Sequence, residues 1–182
     1  MNKTTVVVTI DGFDPDYLDA CDAPNLQELG RKGFLKIGKS MMPSVTNVNN
    51  VSLVTGSYPE NHGITSNYEL DRDRDSEHYM ESAEYIKSVT MFQRADGLGM
   101  RSLLVTAKDK LRRLLSTGTT VSVSSEQPPG WVVDGVGTPP EIYSLEVNRW
   151  VLDAGRFILS QQDFDLVYLT TTDYAMHSYA CP

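Results

Sequence analysis

Several side chains that could do chemistry sit at the ends of apolar runs. Asp11 follows the run Thr5–Ile10. A carboxylate there can cap the next turn or bind a cation. Asp173 and His177 lie four apart in TTDYAMH. If that segment turns helical, the pair projects from one face and can grip a single metal ion; zinc suits it, and iron and manganese accept the same donors. A surface Asp/His pair at a helix start is the competing explanation. The stretch Pro43–Asn50 (PSVTNVNN) sets the Thr46 hydroxyl just ahead of a predicted helix. Free backbone N–H groups and the helix dipole favour a bound phosphate at such a point. Thr46 is also a good N-cap, as is Asn47. As a nucleophile, Thr46 needs activation, which a coordinated metal supplies by lowering its pKa. Lys108 and Lys110 follow a further apolar run in AKDK. They are either solvated charges or the positive field that an anionic substrate requires. His62 lies in a turn-rich loop and reads as structural, and His78 sits beside a charge run.

These residues need a frame to bring them together. Thr5–Ile10 is β-branched and apolar, as expected of a buried parallel strand. Arg101–Thr106 and Asp165–Thr171 read as further strands, and Phe34–Lys39 as another. Helices are predicted over Pro24–Gly33, Asn47–Thr55, Glu81–Arg94 and Lys108–Leu115. Pro140–Gln162 carries apolar residues at helical spacing and reads as a long amphipathic helix. Ser57–Tyr68 is a loop, Leu70–Glu77 is a solvated loop or helix start, and Thr117–Gly137 resists assignment. Strands alternating with helices predict an α/β fold with a mostly parallel sheet and helices on both faces. In such sheets the ligand site lies at the C-terminal ends of the strands. Asp11, the Lys108/Lys110 pair, and Asp173 with His177 all fall at such ends.

The chain has 182 residues, enough for one domain with a core, and a net charge of -8. An acidic protein is a poor partner for a nucleic-acid polymer, and it must reverse its field locally to hold an anion. Cys21 and Cys181 share no metal-type spacing, so no disulfide framework is expected and a reducing, cytoplasmic setting follows. No apolar run approaches a membrane span, which predicts no membrane partner.

Three segments bind these observations together: VVVTIDGFDPDYL at 6–18, MPSVTNVNNVSLVTGSYPENHGI at 42–64 and TTTDYAMH at 170–177. In this order they resemble the nucleotide pyrophosphatase/phosphodiesterase branch of the alkaline phosphatase superfamily, and within it the phosphonoacetate hydrolases. The resemblance implies an alkaline phosphatase-like fold truncated at its C-terminus, with residues 1–182 forming the N-terminal part of a single catalytic domain. It implies two divalent metal ions, zinc being expected. Thr46 would be the nucleophile, forming a phospho-threonine and sharing one zinc with Asp11. Asp173 and His177 would hold the second zinc, which activates water. Asn67 would donate to a phosphoryl oxygen, and Lys108 and Lys110 would lie near the substrate. The implied reaction cleaves the C–P bond of phosphonoacetate to acetate and phosphate. The implied partner is a small anionic phosphonate or phosphoester. A nucleotide pyrophosphatase/phosphodiesterase is the second reading, and a degenerate phosphate- or metal-binding domain the third. Family members supply an Asp-His pair and a further His beyond the D-x-x-x-H segment. The only histidines here are His62, His78 and His177, so both metal sites are expected to be incomplete and the chain inactive alone.

Overall fold

The computed structural model describes residues 3–179. In chain order it contains strand β1 (Thr5–Thr9), helices α1 (Pro15–Ala20), α2 (Pro24–Lys32), α3 (Thr46–Thr55) and α4 (Pro59–His62), then strands β2 (Tyr68–Asp71) and β3 (Ser76–Tyr79). There follow α5 (Met91–Gly97), β4 (Ser102–Thr106), α6 (Asp109–Leu115), β5 (Val121–Ser124), α7 (Gly130–Val136), α8 (Glu146–Gln161), β6 (Leu166–Thr170) and α9 (Tyr174–Ser178). The main sheet has the order β1-β6-β4-β5, with every neighbouring pair parallel.

Side chains alternate across a strand, and here both faces are covered. On one face, Leu103, Val105, Val167 and Leu169 meet Val147, Trp150, Val151, Ala154 and Ile158 of α8 and Val132 of α7. On the other, Leu104 and Tyr168 meet Val48, Val51 and Val54 of α3, Phe92 of α5, and Leu111, Leu114 and Leu115 of α6. Each fully buried aliphatic side chain contributes about 1.5–3 kcal/mol. Helix α8 approaches β6 closely at Gly155, where an added Cβ would lie 2.8 Å from a Leu169 methyl. The expected α/β arrangement, with a parallel sheet and helices on both sides, is therefore present.

β1 lies at one end of the sheet, and only part of it is covered. Val7 packs against the α3 side, whereas Val6, Val8 and Ile10 are 51%, 46% and 42% exposed. They continue the α8 face of the sheet beyond the reach of α8.

The structure corrects several expectations. Phe34–Lys39 has the composition of a strand but forms none among the described residues, and Phe34, Leu35 and Ile37 are exposed. Strand composition without a partner edge is not enough. Leu70–Glu77 belongs to a hairpin: β2 pairs antiparallel with β3, and the Asp71 carboxylate closes the turn by accepting from the Asp73 and Arg74 amides. Glu81–Arg94 is not one helix. A 3-10 turn at Ala83–Tyr85 precedes α5, which starts only where Thr90 and Gln93 form a capping box. The helix expected from Pro140 begins at Glu146, because Ile142 and Leu145 belong to the preceding loop. The unassigned Thr117–Gly137 stretch holds β5 and α7, and the short helices α1 and α4 are additional. Cys21 is a free, exposed thiol, and Cys181 lies outside the described residues.

Candidate active site

The residues that follow β1 and β6 meet the N-terminus of α3 at one cavity of about 640 Å³. Asp11, Thr46, Asn67, Asp173 and His177 all line it. Each is delivered by a local rule. β1 pairs with β6 in register from Thr5↔Leu166 to Thr9↔Thr170, so the residues after the two strands emerge side by side. The Asp11 amide then donates to the Thr171 hydroxyl at 3.1 Å. Gly12 completes the turn with φ +72°, and a Cβ there would press on the Met176 and Asp173 side chains at 3.0 and 3.2 Å.

Thr46 is the first residue of α3, and Val45 is the N-cap with no side-chain capping bond. Sequence alone allowed Thr46 to be a cap; its hydroxyl instead donates to Asp11 Oδ2 at 2.9 Å. Asn47, the other capping candidate, is buried and donates from Nδ2 to the Met80 carbonyl. The first-turn amides of α3 have no carbonyl partner within the helix, and Val45 and Thr46 at its start line the cavity, which places the positive end of the helix dipole there.

Asp173 opens α9, and His177 sits one turn later with Nε2 3.2 Å from Asp173 Oδ2. The two side chains therefore lie together on one face of α9, the arrangement that a shared metal ion would need. The other Asp173 oxygen accepts from Lys108 Nζ at 2.9 Å. Lys108 is the N-cap of α6 and reaches the site from the end of β4. Lys110 points elsewhere: with Lys108, Arg113 and Tyr143 it lines a neighbouring cavity of about 280 Å³.

The electrostatics are uneven. Burial, reinforced by the Asp173 charge, raises the pKa of Asp11 even though Thr46 donates to it. Burial acts on Asp173 in the same sense, but Lys108 outweighs it and the net pKa is lowered. Two carboxylates therefore face a single ammonium. A dianionic substrate cannot settle there until further positive charge arrives.

The donor set fits metal ions in kind. Bonds of about 2.0–2.2 Å in a tetrahedral shell put neighbouring ligand atoms roughly 3.3–3.5 Å apart. The Asp173/His177 pair, at 3.2 Å, is near that spacing, and the Thr46/Asp11 pair needs only a small opening. No group of three or more His, Cys, Asp or Glu side chains converges among the described residues. Each pair thus supplies two donors, and further ligands have to complete either shell. His62, by contrast, is fully buried and unavailable as a ligand.

The sequence model of the type I phosphodiesterase / nucleotide pyrophosphatase family matches residues 5–181. The chain belongs to this family. The phosphodiesterase-family chain superposes on phosphonoacetate hydrolase from Sinorhizobium meliloti 1021, in complex with phosphonoacetate, with a TM-score of 0.90 at 35% identity, covering 98% of this chain and 48% of that one. Human ectonucleotide pyrophosphatase / phosphodiesterase 5 shares the fold, with a TM-score of 0.63 at 19% identity over 94% of this chain and 43% of its own. Venom phosphodiesterase of Naja atra is 26% identical over 96% of this chain and 20% of its own length. The family chain therefore spans about half, or less, of these relatives. Among the described residues no helix is long and apolar enough to cross a membrane.

Two residues beside Thr46 escaped the sequence reading. Asn50 and Tyr168 are buried polar groups joined to each other on the sheet side of α3. Tyr168 lies inside an otherwise apolar strand, and that oddity was the available signal.

Proposed function

We propose that this chain carries the nucleophile half of a metal-dependent hydrolase that attacks phosphorus, with phosphonoacetate as substrate. The observation that carries the reading is the Thr46 hydroxyl, held at a helix N-terminus against Asp11 in a cavity shared with Asp173, His177 and Asn67. The similarity to phosphonoacetate hydrolase supports the choice of substrate. Residues 1–182 would be the N-terminal part of one catalytic domain, and the protein would work in the cytoplasm.

In this reading Thr46 Oγ1 forms a bond to phosphorus while the P–C bond breaks. The departing carbon takes the bonding electron pair as the enolate of acetate and is protonated by water. Water then attacks the phospho-threonine, releasing phosphate and restoring the hydroxyl. The Thr46 hydroxyl is already hydrogen-bonded to Asp11 Oδ2, and the divalent ion that the two residues would share supplies the activation by lowering the pKa of that hydroxyl. The first-turn amides of α3 and the Asn67 amide face the equatorial oxygens. Asn67 lines the cavity, and its Oδ1 has no hydrogen-bond partner among the described residues. Asp11 with Thr46, and Asp173 with His177, would hold two divalent ions, zinc first; these would supply the positive charge that the two carboxylates demand and stabilise the oxygens of the displacement. Lys108 would be released from Asp173 to face the substrate carboxylate, whereas Lys110 lines the neighbouring cavity.

A nucleotide diester is the second reading, favoured by the match to a venom phosphodiesterase along nearly the whole chain. The deciding experiment measures phosphate release from phosphonoacetate with added zinc, by this chain alone and extended to the length of its relatives. Release that Thr46→Ala abolishes is expected of the extended protein. Turnover of a nucleotide diester in its place would move the substrate, and metal binding with no turnover of either would leave a binding domain.

A further inference from the structure

The Thr46–Asp11 contact joins the end of β1 to the first residue of α3, two elements with no other direct hydrogen bond between them among the described residues. One buried hydroxyl bridges them. Tyr168, at the centre of β6 and fully buried, accepts from Thr9 Oγ1 at 2.9 Å and donates to Asn50 Oδ1 at 2.8 Å. Thr9 precedes Asp11 by two residues. Asn50 lies one helical turn after Thr46 and donates from Nδ2 to the Thr46 carbonyl at 3.0 Å. The chain of bonds runs from β1 through β6 to the backbone of Thr46.

The donor sense is fixed by counting protons. Asn50 Oδ1 can only accept, so Tyr168 spends its single proton there and must accept from Thr9. Burial pushes the Tyr168 hydroxyl up to about 12, so it keeps that proton across ordinary working pH. The ring packs edge-on against Phe92 at 6.1 Å in an otherwise apolar layer. A phenylalanine would fill the same space, so packing alone does not explain the hydroxyl.

We propose that Tyr168 and Asn50 are positioning residues that hold Thr46 Oγ1 in line with Asp11 by bolting the first turn of α3 to β1. The inference rests on Thr46 being the nucleophile. Misplacing a reacting group by a fraction of an ångström slows the chemical step without weakening capture of substrate.

Tyr168→Phe and Thr9→Val, made singly and together in the zinc-supplemented protein extended to the length of its relatives, test the bolt. Each single change is expected to lower kcat on phosphonoacetate about tenfold or more, with KM within about twofold. The double variant should lose no more than the worse single one, because both break one chain of bonds. Additive losses, or a lowered unfolding midpoint with kcat intact, would reduce Tyr168 to a packing residue. Crystal structures of the same variants without metal give a readout independent of turnover: the Thr46 Oγ1–Asp11 Oδ2 distance should open beyond hydrogen-bonding range from 2.9 Å. An unchanged distance overturns the proposal even if no substrate is turned over, whereas absent turnover in the unmodified protein counts against the functional reading alone. Should Tyr168→Phe fail to fold, Thr9→Val keeps the ring and carries the test.

Discussion

At the scale of single residues, the same side-chain type has different work depending on what surrounds it, and His62 illustrates the point against His177. His177 is exposed beside Asp173, whereas His62 is enclosed, with Nδ1 accepting from the Ile64 amide and Nε2 2.8 Å from Ser52 Oγ. Ser52 spends its own proton on the Val48 carbonyl, so Nε2–H must be the donor and the ring is neutral. Burial lowers the His62 pKa. The sign follows directly: the stability it contributes is fully present above the ordinary value near 6.5 and is lost as pH falls through the lower folded value. Denaturant midpoints measured from pH 7.5 to 5 should therefore fall with pH, and His62→Gln should flatten that slope; equal slopes in the two proteins would refute it. Lys108 gives a second prediction. Lys108→Gln removes the ammonium that holds Asp173 down, so a carboxyl-carbon NMR titration should show the Asp173 pKa moving up.

The short turn between β1 and α1 decides how close two elements of the site may come. Gly12 has a left-handed φ of +72°, and its missing side chain leaves room for Asp173 and Met176. Gly12→Ala should cost about 1–3 kcal/mol in chemical denaturation, since it adds both a left-handed alanine and a contact at 3.0 Å. It should also lower zinc affinity in calorimetric titration, because Asp173 would be pushed aside. Elements of this kind differ in how readable they are from sequence. β1, β4, β6 and α3 announced themselves through uninterrupted apolar runs or helical spacing, and they carry Asp11, Lys108, Asp173 and Thr46. The hairpin of β2 and β3 is exposed along nearly its whole length, and strands of four residues beside a charge run are too short for periodicity to mark them. Phe34–Lys39 looked like a strand because composition cannot reveal whether a neighbouring edge exists. The Asn50–Tyr168 link crosses 118 positions of sequence, and no local pattern encodes such a pairing.

Taken whole, the molecule is closed on the α5–α6 side and open beside β1. Val6, Val8 and Ile10 lie exposed on one face of the sheet, and Phe34, Leu35 and Ile37 are exposed as well. Exposed apolar side chains of this kind drive association. Light scattering on this chain should show mass rising with concentration, and Val8→Lys should shift it toward the monomer; a monomer at all concentrations would contradict the reading. The position of β1 also has a consequence in time. Its partner across the sheet is β6, with Thr5 opposite Leu166, so roughly 160 residues must leave the ribosome before the pairing can form. At 5–20 residues per second that is a wait of about 8–30 s. Throughout it, a nascent TVVVT segment of high β-propensity has no edge to join, and the carboxylate that braces the Thr46 hydroxyl is among the last pieces of the site to be set in place.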